Sequence, residues 1–242
     1  MRKSVLAVIC VVSSFCWADA MKATRLLVVV GIVKEAKLVQ GGKNVSLLIS
    51  GASSERLVEL LENENPADVR AIISFGVAGG LNPGHETGDV IIPDAVIKDG
   101  HTWLTDSILS ENFRSKLKAL GITVRNGTLV GSNAIIANPA DKAKLFATSK
   151  ADAVDMESHV AAAYAAKYGI PFAAIRVISD PADRSLPQAA LDAVTSEGEV
   201  ELLPILRGIW RDFSQIGKLL RAGLDSRKAF GALARCQVLL GG

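Results

Sequence analysis

Short apolar runs rich in Val, Ile and Leu recur between stretches of helical periodicity along most of the 242-residue chain. Such runs are too uniformly apolar for a sheet with one wet face, and they predict strands buried on both sides. The predicted strands cover 26–33, 45–49, 71–77, 90–97, 124–130 and 172–178, with Pro93 interrupting the fourth. Between them the pattern predicts a helix over 53–61, capped by Ser53 or Ser54, and another from Thr105 or Asp106 to 120, ended by Gly121. Two more are predicted over 139–147 and through the helix-forming run at 161–166, which Gly169 and Pro171 stop. Strand and helix alternating in this way predict an α/β domain. Ligands of such sheets bind outside the carboxyl ends of the strands.

The last stretch, 204–242, has a different pattern. Ile205, Ile209, Phe213, Ile216, Leu220 and Leu224 share one helical face, and Arg207, Arg211, Lys218 and Arg221 the opposite one, with Trp210 at the edge. This basic amphipathic helix has two readings. It packs on the body with its basic residues solvated, or it contacts a membrane surface or covers an apolar substrate. Its seven Lys/Arg against two Asp leave the 21–203 body acidic, at about −4, although the whole chain carries only +2. A body of that sign argues against a nucleic-acid partner.

Residues 1–20 read as a signal-like leader or as an over-extended start ahead of Met21: Arg2-Lys3, an apolar run over 5–17, then Ala18-Asp19-Ala20. Cys10 and Cys16 fall in that stretch and leave Cys236 alone in the body, so no intrachain disulfide of the body is expected. On that basis the expected location is cytoplasmic, with export the alternative if the leader is a true signal. His85, His101 and His159 are scattered without partners at ligand spacing, so neither a metal nor a cofactor is expected.

The chemistry concentrates in two stretches. Val154-Asp155-Met156-Glu157 follows one apolar run, and Arg176-Val177-Ile178-Ser179-Asp180-Pro181-Ala182-Asp183 closes another. With one helix between them, Glu157 and Asp180 are expected together at one sheet edge. These stretches, with Ser74-Phe75-Gly76-Val77-Ala78-Gly79-Gly80-Leu81 and Gly88-Asp89-Val90-Ile91-Ile92 ahead of them in the same order, resemble the purine nucleoside phosphorylase and nucleosidase superfamily. The likeness runs over about 26–183, and among subfamilies it is nearest to the hopanoid-associated phosphorylases. It implies a single-domain, three-layer αβα fold around a mixed, mostly parallel twisted sheet, with 21–203 as the catalytic domain. It also implies a homo-oligomer and an adenine nucleoside as substrate, adenosylhopane in that subfamily.

The resemblance further implies roles. Asp180, oriented by Ser179, would protonate the departing purine, which requires a raised pKa. Glu157 would accept from the ribose hydroxyls, while Asp155 and Met156 would line the sugar. The Val77-Ala78-Gly79 segment would present backbone N–H groups, and Ile135 and Ile136 would flank the base where relatives carry an aromatic. Family phosphorylases place an arginine four residues after Gly31 and an arginine and a serine in the glycine-rich segment; this chain has Glu35, Ser74 and Val77 there. The phosphate signatures are thus missing. Family nucleosidases hold water with a glutamate five residues after that glycine, which is Ala36 here, so Glu35 would act from the neighbouring place. The expected reaction is hydrolysis of adenosylhopane to adenine and ribosylhopane. The alternatives are a phosphorylase, a methylthioadenosine/adenosylhomocysteine nucleosidase, and a nucleoside- or lipid-binding protein without turnover.

Overall fold

A computed structural model describes residues 24–240 except 40, 41, 43 and 188–215. The leader and the first half of the predicted tail helix therefore lie outside the described residues. The chain order is β1 (Arg25–Val30), α1 (Val33–Ala36), β2 (Val45–Ile49), α2 (Ser54–Glu62), β3 (Val69–Gly80), β4 (Val90–Ile91), β5 (Ala95–Lys98) and β6 (His101–Leu104). It continues through α3 (Ser107–Ala119), β7 (Val124–Arg125), β8 (Thr128–Gly131), α4 (Pro139–Ser149), β9 (Ala153–Asp155), α5 (Ser158–Tyr168), β10 (Phe172–Asp180) and α6 (Ile216–Cys236).

All ten strands join one mixed sheet, mostly parallel, with helices on both faces. Alternate residues of β1 and β3 explain the layering, because successive strand side chains point to opposite faces. Val28, Val30, Ile73 and Phe75 pack beneath α3 and α6, against Phe113, Leu117 and Leu233. Leu27, Val29 and Ile72 pack beneath α2 and α5, against Leu57, Leu61, Ala161 and Ala165. Caps fix the helix starts: Ser53 accepts from Arg56 N, and Asp106 from Leu109 N. Gly169, in the left-handed region at φ 65°, ends α5.

Three sequence expectations need correction. The single strand expected over 124–130 is two, because the chain breaks at Asn126-Gly127; β7 pairs with β4, whereas β8 pairs with β5 and β9. Asp152 holds that break by accepting from Thr128 N at 3.0 Å. The strand expected over 90–97 is likewise two, since Pro93 has no N–H for a ladder. β6 was not anticipated, although Asp99-Gly100, both at positive φ (49° and 79°), carries the signature of a tight hairpin turn.

Glu157 and Asp180 border one cavity, by a route the pattern does not show. Asp180 ends β10, which runs parallel to β3, but Glu157 follows β9, which pairs antiparallel with the last two residues of β3. The two acids therefore do not end neighbouring parallel strands. They meet because the 12-residue β3 runs on past the end of β1, and β9 pairs with its last two residues while β10 still pairs with Gly79.

Candidate active site

The eleven residues singled out in the sequence, Glu35, Val77, Ala78, Gly79, Ile135, Ile136, Asp155, Met156, Glu157, Ser179 and Asp180, all border one cavity of about 170 Å³. Gly31, Ile32, Ala52, Ala134, Val154 and Leu186 complete the lining. Backbone detail brings them there. The pairing of β10 with β3 slips between Ile178 and Asp180, so Ser179 is an extra residue and Asp180 stands opposite Gly79. Such a bulge re-aims the side chain that follows it. Gly79 supplies the space, since a Cβ there would lie 3.3 Å from Asp180 Oδ2.

Glu35 sits on the one-turn helix α1 and is 2% exposed. Its Oε2 accepts from Gly31 N (2.7 Å) and Ile32 N (3.0 Å), and its Oε1 from Val77 N (2.8 Å). Ala36, one residue on, packs into the core instead. The helix turns about 100° per residue, so these neighbours cannot face the same way. The acid that reaches the cavity is therefore Glu35.

Behind the cavity Arg176, wholly buried, gathers the acids. Its Nε lies 2.6 Å from Asp155 Oδ2 and its Nη2 3.4 Å from Glu157 Oε2, while Nη2 also donates to Ser74 Oγ at 2.5 Å. Asp155 borders the cavity, but its carboxylate is engaged by Arg176 and the Ser158 hydroxyl and amide. Ser74, at 0% exposure, is engaged by Arg176 and Ser158 and does not reach the cavity. Glu157 is held from its other side by Ser50 Oγ, 3.1 Å from Oε1.

Burial is the largest influence on the titration of these groups. It pushes the Glu157 carboxyl up to about 7, helped by the neighbouring Asp155 and Glu35 and opposed by Arg176. Burial also raises Glu35, against Arg176 and the backbone donors. Asp180 is raised by burial as well, against the pull of Lys142, whose Nζ lies 2.6 Å from Oδ2. Ser179 Oγ donates to Asp180 Oδ1 at 2.5 Å.

Sequence reasoning missed Ser50, Lys142, Leu186 and the role of Arg176. Arg176 lay within a quoted stretch, but nothing in the pattern showed that it points inward. Lys142 and Ser50 carry no sequence signal, because a lysine on an amphipathic helix and a serine after a strand read as surface. His159 lies outside the cavity. It is in a larger groove between α2 and α5 (about 460 Å³), beside Lys98, and burial lowers it to about 4. That groove has charges of both signs and Trp103 and Tyr164 on its walls, without the facing carboxyls.

Fold and cavity together define an α/β protein with a cavity whose ionisable lining, among the described residues, consists of four carboxyls: Glu35, Asp155, Glu157 and Asp180. The chain belongs to the Phosphorylase superfamily, whose sequence profile matches residues 35–208. A 5'-methylthioadenosine/S-adenosylhomocysteine nucleosidase of Haemophilus influenzae (strain 86-028NP) is 27% identical over 186 residues, covering 66% of this chain and 77% of that protein. Among solved structures, a putative nucleosidase of the same description from Francisella philomiragia superposes with a TM-score of 0.64 at 15% identity, over 90% of this chain and 96% of that one. Futalosine hydrolase of Helicobacter pylori does so with a TM-score of 0.58 at 17% identity, over 65% and 88%. At these identities the likeness to the solved structures is one of fold.

Proposed function

We propose that the protein is a purine nucleosidase that hydrolyses the N-glycosidic bond of an adenine nucleoside. The observation that carries this reading is the cavity lining: four carboxyls and, among the described residues, no Lys or Arg to hold phosphate. The related nucleosidase of H. influenzae supports the same reaction class. In this reading Asp180, whose pKa burial raises against the pull of Lys142, gives its proton to N7 of the base, so that adenine leaves neutral. Glu157 accepts from the ribose hydroxyls and stabilises the cationic sugar as the bond breaks. Glu35, its two oxygens fixed by three backbone N–H groups, orients water toward the anomeric carbon and takes its proton. Met156, Ile135, Ile136 and Leu186 give apolar contact to the base and to whatever the 5' carbon carries.

For the substrate itself the reading is a nucleoside with an apolar 5' arm, adenosylhopane, from the likeness to the hopanoid-associated subfamily. Leu220 and Leu224 of α6, 66% and 68% exposed, support an apolar partner or substrate arm at the tail. They are also the described part of the apolar face predicted there. The rest of that face, 204–215, lies outside the described residues. Among the described residues no helix is long and apolar enough to cross a membrane. The second reading, methylthioadenosine or adenosylhomocysteine, is favoured by the H. influenzae relative. The protein is further proposed to act as a homo-oligomer, which sedimentation at assay concentration would test.

Adenine release measured on adenosylhopane, methylthioadenosine and adenosylhomocysteine, with and without phosphate, tests the whole reading. Equal release in both conditions is expected. Strict dependence on phosphate would make the protein a phosphorylase, and binding without release from any of the three would make it a binding protein.

A further inference from the structure

Lys142 lies on α4 and is 0% exposed. An unpaired ammonium in such a place is strongly unfavourable, so its partners define what it does. Its Nζ has four acceptors: Asp180 Oδ2 at 2.6 Å, Asp180 O at 3.0 Å, Pro181 O at 2.9 Å and Arg184 O at 3.1 Å. An ammonium carries three hydrogens. Four protein acceptors leave none for a ligand, and Lys142 does not border the cavity. It is therefore not a substrate contact. It acts on Asp180 and on the loop that carries it.

The other carboxyl oxygen has a partner of a different kind. Ser179 Oγ lies 2.5 Å from Asp180 Oδ1 and 3.2 Å from Ala78 O. A hydroxyl has one hydrogen and can accept as well. With Asp180 ionised, that hydrogen serves Oδ1. With Asp180 protonated, it turns to Ala78 O, and the hydroxyl accepts from Oδ1–H. Both states are thus satisfied, provided that the proton sits on Oδ1. A proton on Oδ2 would face the ammonium.

We propose that Lys142 is a positioning residue that confines the transferable proton of Asp180 to Oδ1, with the Ser179 hydroxyl turning between Oδ1 and Ala78 O as that proton leaves and returns. The inference rests on the nucleosidase reading for what the proton is used for. The Oδ1–H bond breaks as N7–H forms, and the C–N pair departs with the base. The attacking water adds its hydroxyl to the anomeric carbon and gives its proton to Glu35; Glu35 then releases that proton to solvent and Asp180 takes one up, which restores both acids. The charged groups facing Asp180 are Lys142 from α4 and Asp225 from α6, the latter also 3.7 Å from Arg184 Nη1. β3 contributes the Ala78 carbonyl and Gly79.

The test compares wild type with Lys142→Met by two measurements. One is the ¹³C titration of the Asp180 carboxyl, assigned by its loss in Asp180→Asn; the other is kcat/KM against pH. Without the ammonium, the carboxyl should titrate about one to three pH units higher. The basic limb of kcat/KM should move with it, because the protonated form is the active one. Lys142→Arg, if the charge is what matters, should restore the wild-type titration. Reduced activity with neither titration moved would reduce Lys142 to a loop anchor and overturn the proposal. Should Lys142→Met not fold, the Lys142 ¹⁵Nζ signal of wild type must follow the Asp180 titration and lose that response in Asp180→Asn. Indifference would overturn the proposal equally. The ¹³C and ¹⁵N titrations need no turnover, so wild type that releases no adenine would sink the nucleosidase reading separately.

Discussion

Glu157→Gln makes the buried acid cluster measurable. The Glu157 carboxyl titrates at about 7 in the folded protein against an ordinary 4.5, chiefly because it is buried. The folded state therefore holds this proton more tightly than the unfolded chain. Its contribution to stability is fully present below 4.5 and is lost as pH rises through about 7. The difference between about 7 and 4.5 corresponds to roughly 3 kcal/mol, most of which falls between pH 5 and pH 8. Glutamine resembles the protonated acid at every pH and removes this dependence. Urea unfolding of both proteins at pH 5 and pH 8 isolates the effect from other titrating groups. The stability of the variant relative to wild type should improve by roughly 2–3 kcal/mol between the two pH values. A change below about 0.5 kcal/mol, within extrapolation error, would refute the reasoning and mean that Arg176 keeps Glu157 an ordinary carboxylate.

Asp180→Asn keeps the shape of the side chain but not its acidity, and kcat for adenine release should fall by about 10²–10⁴ while nucleoside affinity changes less than about tenfold. Full activity would remove the general-acid role. Glu35→Gln should lower kcat by about 10² or more without creating phosphate dependence, as single-turnover assays in the two buffers would reveal. Gly76→Ala would place a Cβ 2.5 Å from Arg176 Nη1 and 2.7 Å from Glu35 Cδ. Overpacking of that kind costs about 1–3 kcal/mol, so a lowered melting temperature and reduced turnover should appear together. An unchanged melting curve would show that Arg176 and Glu35 can give way.

The hydrophobic pattern made much of the fold legible. The largely apolar runs at 26–33, 71–77 and 172–178 lie within or across β1, β3 and β10, which are buried on both faces. Helix boundaries followed from side chains that act locally, such as the Ser53 and Asp106 caps and the left-handed Gly169. Short strands were harder. β4, β7 and β9 have two or three residues each, too few to show a period, and their partners are distant in sequence.

The sequence by itself determined which residues carry charge near strand ends. Glu157 and Asp180 stood out because acids at the end of an apolar run are local facts, and Glu35 and Ser179 through the family resemblance. The antiparallel return of β9, the slip that sets Asp180 opposite Gly79, and the arrangement of Asp155 and Glu157 around Arg176 were decided only by the tertiary structure. So was the pairing of Lys142 with Asp180, 38 residues apart. The physical reason is that burial and charge pairing depend on distance in space. A lysine has the same letter whether its ammonium faces water or is enclosed, at 0% exposure, by a carboxylate and three carbonyls.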